Sequence, residues 1–110
     1  LLQIKLSDEE TKHGFIPHIL MDSLQSDPWK ELTSLRICGV MGIGSLNSDI
    51  NSKRREFKNL FNYFNDIKLN YFKEADFFKE ISMGMSDDYT IALEEGSTMI
   101  RIGSAVFSDL

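Results

Sequence analysis

The stretch FKEISMGMSDDYTIALEEGSTMIRIGSAVF, residues 78–107, decides how this chain is read. Phe78 to Met83 is a short apolar run of strand composition, and Met99 to Phe107 is another. Between them, Asp87 to Glu95 is rich in helix formers and stops before Gly96, a residue that readily ends a helix. Strand, helix and strand within roughly thirty residues form the unit from which parallel sheets are built.

The same alternation continues upstream. Lys53 to Ile67 is the clearest helix, with Phe57, Leu60, Phe61 and Phe64 on one stripe and Lys, Arg, Asn and Glu between them. Before it, Leu35 to Ile43 reads as a strand whose small apolar residues suit burial on both faces. Gly44 to Asp49 is the connecting loop. Ile16 to Leu24 carries Ile16, Ile19, Leu20 and Leu24 at helical spacing, and Ser26-Asp27-Pro28 breaks it. Leu1 to Leu6 alternates Leu2, Ile4 and Leu6 against Gln3 and Lys5, as a strand does. Tyr71 to Phe77 fits neither pattern.

The order βαβαβαβ predicts an α/β fold with a parallel sheet. Such a sheet needs cover on both faces, and four strands do not supply it. A closed eight-stranded β/α barrel takes roughly 250 residues. The 110 residues here make about four βα units, so the expectation is a partial single domain over residues 1–110, half of a TIM barrel. The chain opens on Leu1-Leu2-Gln3-Ile4, inside the first strand and without Met, so further N-terminal sequence is expected.

Composition narrows the function. The net charge is -5, which argues against general binding of nucleic acid or of an anionic membrane, because both need basic patches. One phosphorylated small molecule remains compatible, since a nest of backbone N–H groups can hold it. A single cysteine, Cys38, permits no intrachain disulfide and fits a reducing, cytoplasmic setting; it reads as a small buried apolar residue. No apolar run approaches the roughly 20 residues of a membrane-spanning helix.

The chemistry is expected at the ends of the last two strands, because barrel phosphate sites often form from the final two strand–helix loops. Ser86 supplies a hydroxyl. Gly103 lets the backbone approach an anion, with the N–H groups of Gly103 and Ser104 aimed at it. Arg101 stands among Ile100, Ile102, Ala105 and Val106, in a stretch expected to be buried. By alternation it shares a face with Met99 and Gly103, which would point into a closed barrel. A buried guanidinium needs an acceptor. A carboxylate inside the barrel and a bound ligand both satisfy that need.

Other residues have plainer readings beside the functional ones. Lys12 is either solvated or placed to attract a phosphate. His13 and His18 have no partners at metal-ligand spacing, so no metal is expected. Met41, Met83 and Met85 either fill the core or line a ligand ring. Gly42-Ile43-Gly44 lacks the third glycine of a dinucleotide fingerprint. Ser97-Thr98 reads as a turn into the last strand. Lys53-Arg54-Arg55 reads as a solvent-facing cluster, because Glu56 and the phenylalanine stripe orient it outward.

Three strings, QIKLSDEETKHG (3–14), GVMGIGSLNSD (39–49) and ISMGMSDDYTIALEEGSTMIRIGSAVF (81–107), resemble the C-terminal half of the pyridoxal phosphate homeostasis protein family, whose barrel is that of the alanine racemase N-terminal domain. The resemblance implies a site for pyridoxal 5′-phosphate (PLP). In it Ser86 would donate its hydroxyl to the phosphate, and Gly103 and Ser104 would donate backbone N–H groups. Arg101 would hydrogen-bond the pyridine nitrogen. An arginine offers only donors and would keep that nitrogen unprotonated, a weaker electron sink than a pyridinium held by Asp.

The implied function is buffering of PLP and its delivery to PLP-dependent apoenzymes, without catalytic turnover. The alternative is an amino-acid racemase of the same barrel, which in that family adds a β-rich domain. A third reading, a phosphate binder without cofactor, leaves Arg101 without a role. Two departures stand out. Ser108 replaces the family's usual Gly, and the lysine to which the family attaches its cofactor belongs to an early strand not found in this chain.

Overall fold

The computed structural model describes residues 1–7, 14–26, 28–31, 34–45 and 49–103. The elements are β1 (Leu2–Gln3), α1 (Pro17–Gln25), a 3-10 turn (Pro28–Glu31), β2 (Gly39–Met41), α2 (Ile50–Tyr71), β3 (Glu80–Ser82) and α3 (Tyr89–Glu94). The three strands lie side by side in chain order and are all parallel. Val40 pairs with Leu2 on one side and Ile81 on the other; Met41 likewise joins Gln3 and Ser82. The predicted α/β class and parallel sheet are therefore present.

Alternation along the strands sorts two faces. Leu2, Ile4, Val40, Ile81 and Met83 join the helices in one core. A methyl group on Gly42 would meet Leu6 and Leu60, which places that glycine on the same helix-facing side. Gln3, Met41 and Ser82 take the other face. Helix α2 supplies the central packing: Phe57, Leu60 and Ile67 are fully buried. Phe78 stacks on Phe64 at 5.1 Å and on Phe72 at 4.4 Å, joining the end of α2 to the start of β3. Burial of such side chains, at about 25 cal/mol per Å² of apolar surface, is what holds strands this short together.

The regular elements differ from the apolar runs. Helix α2 is longer than the predicted 53–67, because Asp49 caps it: its carboxylate accepts the Ser52 backbone N–H at 2.7 Å. At the other end it runs through the ambiguous segment as far as Tyr71, after which turns lead to Phe78. β2 is shorter than 35–43. Leu35 is 68% exposed, Arg36 lies over the Phe77 ring at 4.8 Å, and only at Cys38 does pairing begin, its carbonyl accepting from Lys79 and Glu80. Cys38 is half-buried rather than fully buried.

The predicted fourth strand starts as a single parallel bridge between Met99 and Ser82. Residues 104–107 lie outside the described residues.

The Asp49 cap carries a pH signature. Its hydrogen bond from Ser52 lowers the carboxyl pKa below the ordinary 3.8. A lowered folded-state pKa gives stability that is present above the unfolded value and lost as pH falls through the folded one. Asp49→Ala is therefore expected to lower the melting temperature at pH 7, with the gap from wild type closing as pH drops below 3.8. Melts that keep a constant gap down to pH 2, or show none at pH 7, would contradict this assignment; roughly three pH values across the Asp range suffice.

Candidate functional site

The ends of β3 and of the segment after α3 are brought together by backbone pairing. Thr98 and Met99 donate to the Ile81 carbonyl, and Met83 donates to Met99 at 3.0 Å. Ser97 and Thr98 do more than turn the chain. Ser97 Oγ bonds the carbonyls of Met83 at 2.7 Å and Met99 at 2.8 Å, and Thr98 Oγ1 accepts the Ile81 N–H at 2.7 Å. These hydroxyls fasten the last segment to β3 before its own ladder begins.

The ladder then slips. A regular parallel pair would send the Arg101 N–H to the Met83 carbonyl, but it bonds Gly84 at 2.9 Å. Gly84 has φ +105°, a conformation open to glycine, and that residue absorbs the slip. Ser86 lies two residues beyond Gly84, and Gly103 two beyond Arg101. The two segments thus carry Ser86 and Gly103 past the same paired position.

Ser86 is half-buried in the turn before α3. That turn is closed from both sides. The Met85 carbonyl accepts from Asp88 at 3.2 Å and Tyr89 at 2.9 Å, while the Met85 N–H donates to Asp88 Oδ1 at 2.8 Å. Asp88 is buried and stands at the N-cap of α3, yet its carboxylate turns back to Met85 instead of forward to the helix. Gly103 is exposed, and a methyl group there would meet nothing within 4 Å among the described residues. Packing among the described residues does not require glycine at that position. Ser104 and Lys12 lie outside the described residues.

Arg101 departs from expectation. It is exposed, not buried, and among the described residues its guanidinium has no carboxylate within ion-pair distance. The physical reason is its face. Met99, Arg101 and Gly103 are all exposed, while Ile100 and Ile102 between them are half-buried. Alternation is right, but the Arg101 side carries no helix. The buried carboxylate partner is absent among the described residues.

The basic cluster also needs correction. Lys53 has a side chain only 12% exposed and lies 3.6 Å from Asp87 and 3.7 Å from Asp88. Arg54 bonds Glu94 at 2.7 Å, and this hydrogen bond raises the guanidinium pKa. Only Arg55 of the three is exposed, as predicted. Glu56, taken with the phenylalanine stripe to orient this cluster outward, is buried and accepts from the Ser45 N–H at 3.1 Å and hydroxyl at 2.8 Å. The first turns of α2 therefore grip the loops after β2 and β3. Sequence reasoning missed this, although Lys53 and Glu56 at i and i+3 share a helix face and could have suggested a common partner surface.

The methionines divide. Met83 is core, Met41 is half-buried on the opposite face, and Met85 is 42% exposed at the strand end. Among the described residues no cluster of His, Cys, Asp or Glu could hold a metal, and no helix is long and apolar enough to cross a membrane. A cleft of about 310 Å³ lined by Trp29, Lys30, Arg36, Phe72 and Phe77 lies at the opposite strand ends and includes none of the predicted site residues.

An anion-binding cofactor with a ring nitrogen fits these residues. An open backbone glycine, a hydroxyl in a closed turn and an unpaired guanidinium stand at neighbouring strand ends. No family model matches the chain. It is 34% identical over 107 residues to the pyridoxal phosphate homeostasis protein of Pasteurella multocida, covering 97% of this chain and 44% of the relative. The Homo sapiens protein of the same name is 37% identical over 112 residues, covering 99% and 39%.

Among solved structures, a protein of unknown function from Bifidobacterium adolescentis superposes with TM-score 0.83 at 34% identity, covering 97% of this chain and 42% of that one. Synechococcus elongatus PipY with PLP bound superposes with TM-score 0.80 at 29% identity, covering 96% and 47%. The chain spans less than half the length of the relatives it matches, and it matches their C-terminal part.

Proposed function

We propose that this chain, a relative of the pyridoxal phosphate homeostasis proteins, forms the phosphate and ring-nitrogen side of a PLP site in a protein that buffers and delivers the cofactor. The observation that carries this is Arg101, a cation on an otherwise apolar strand end, without a carboxylate among the described residues and beside an open glycine. In this reading the 110 residues are the C-terminal half of a TIM barrel, and Met41, Ser82, Met99 and Arg101 face its interior. The cofactor-bearing lysine belongs to the other half.

When bound, PLP supplies an aldehyde and an electron-withdrawing ring. Each residue here has a limited task. Ser86 donates its hydroxyl to the phosphate. Gly103 and Ser104 offer backbone N–H groups to the same anion, and the lack of a Cβ at Gly103 permits close approach. Arg101 donates to the pyridine nitrogen and, holding its own protons, leaves that nitrogen unprotonated. The weak electron sink that results suits a non-catalytic carrier better than a racemase. PLP-dependent apoenzymes are the recipients, in a cytoplasmic setting that the single thiol of Cys38 tolerates.

The test is PLP retention by the full-length protein. Arg101→Ala is expected to weaken it by about tenfold or more, the scale of one charge-assisted hydrogen bond, and Ser86→Ala by less. Equilibrium dialysis with PLP reads both. Wild-type affinity in Arg101→Ala would remove the ring-nitrogen assignment.

A further inference from the structure

We propose that Lys53 is a positioning residue for the phosphate, acting through the two aspartates that follow Ser86. This rests on the assignment of the phosphate to Ser86. A loop meant to hold a phosphate dianion carries Asp87 and Asp88 immediately after the donor hydroxyl. Two carboxylates there oppose the ligand, since like charges at short range disfavour one another.

Lys53 answers both. Its ammonium lies 3.6 Å from Asp87 and 3.7 Å from Asp88, and its side chain is 12% exposed where Asp87 is 70% exposed. The Lys53–Asp88 pair, with side chains 12% and 8% exposed, is screened less than a surface pair, whereas the Asp87 end is open to solvent.

The bridge also fixes shape. Asp88 Oδ1 holds the Met85 N–H, and Asp88 Oδ2 faces Lys53. One carboxylate thereby ties the turn containing Ser86 to the first turn of α2. That end of α2 is itself held by the Asp49 cap and by the Glu56 bonds to Ser45. Lys53 thus offsets one of the loop's two negative charges and sets where Ser86 stands, without touching the ligand. Its place on α2, more than thirty residues before Ser86, is why no motif in the loop reveals it.

The experiment compares PLP with pyridoxal, which lacks the phosphate, on the full-length protein by equilibrium dialysis. Lys53→Met is expected to lower PLP affinity about tenfold, the effect of removing one cation near a dianion at a partly screened site, and to leave pyridoxal affinity within about twofold. Lys53→Arg, which keeps the charge, is expected to restore PLP affinity to within about threefold of wild type.

Asp87→Asn removes an exposed carboxylate, leaves the fold intact, and is expected to tighten PLP about twofold or threefold with no change for pyridoxal. Equal losses for both ligands in Lys53→Met, unchanged PLP affinity in that variant, or weaker PLP binding in Asp87→Asn would each overturn the proposal. A wild-type protein that does not prefer PLP to pyridoxal would instead overturn the phosphate assignment beneath it.

Discussion

Gly84→Val in the full-length protein is expected to cost about 3 kcal/mol or more and to abolish PLP retention. Two independent penalties meet at this residue. Its φ of +105° is a conformation that a β-branched side chain rarely adopts. A Cβ there would also come within 2.8 Å of the Ala92 methyl and 3.2 Å of Ile100 and the Tyr89 backbone. Ala92 is fully buried in α3 and has nowhere to move.

Relief would require either lifting α3 from the sheet or breaking the Arg101-to-Gly84 hydrogen bond. Both displace the turn of Ser86 from the segment of Arg101. Gly103→Ala is the control: with no atom of the described residues within 4 Å of the added carbon, its melting temperature should match wild type even if PLP binding suffers. Thermal melts of the two variants decide the matter. A Gly84→Val protein that melts within a few degrees of wild type would show that the slip in the ladder does not depend on glycine.

The contrast between those two glycines marks how far the sequence was legible. Both sit in the motifs SMGMS and RIG, and nothing in the strings distinguishes them. Only the three-dimensional setting shows that Gly84 is packed against α3 while Gly103 has no neighbour that a Cβ would meet among the described residues. Periodicity served well where one face of an element meets the core. The stripe Phe57, Leu60, Phe61 and Phe64 gave α2, although Phe61 is 38% exposed at its margin, and the strand order followed from strand–helix alternation.

Periodicity failed where burial depends on what lies opposite. Arg101 was placed on the barrel-interior side, away from the helices, and it is exposed there because no element among the described residues covers that side. Lys53 was read outward because Glu56 and the phenylalanine stripe orient the basic cluster that way, whereas Asp88 claims Lys53 here and Glu56 is itself buried against Ser45. The length of the second strand was overestimated because apolar residues near Leu35 say nothing of whether a neighbour is there to pair.

Residues 1–110 produced alone are expected to retain no PLP under conditions in which the full-length protein does. The helices pack on one face of the sheet, that of Val40, Ile81 and Met83. Among the described residues no element covers the opposite face, where Met99 is 45% exposed and Arg101 stands without a partner carboxylate. Parallel sheets are normally covered on both faces, and exposed strand edges invite pairing with other chains.

One edge is partly occupied, because Phe15 pairs with Ile4 beside β1. The other, along Met99 to Gly103, pairs with no further strand among the described residues. The relatives extend over more than twice this length, which is where the remaining cover and the cofactor-bearing lysine are proposed to come from. The isolated segment should therefore associate or aggregate, and dialysed PLP should be lost from it. Size-exclusion chromatography and cofactor absorbance after dialysis read both outcomes. A cooperatively folding monomer that keeps PLP attached to one of its own lysines would overturn the half-barrel reading, and Lys12 would then be the first side chain to replace.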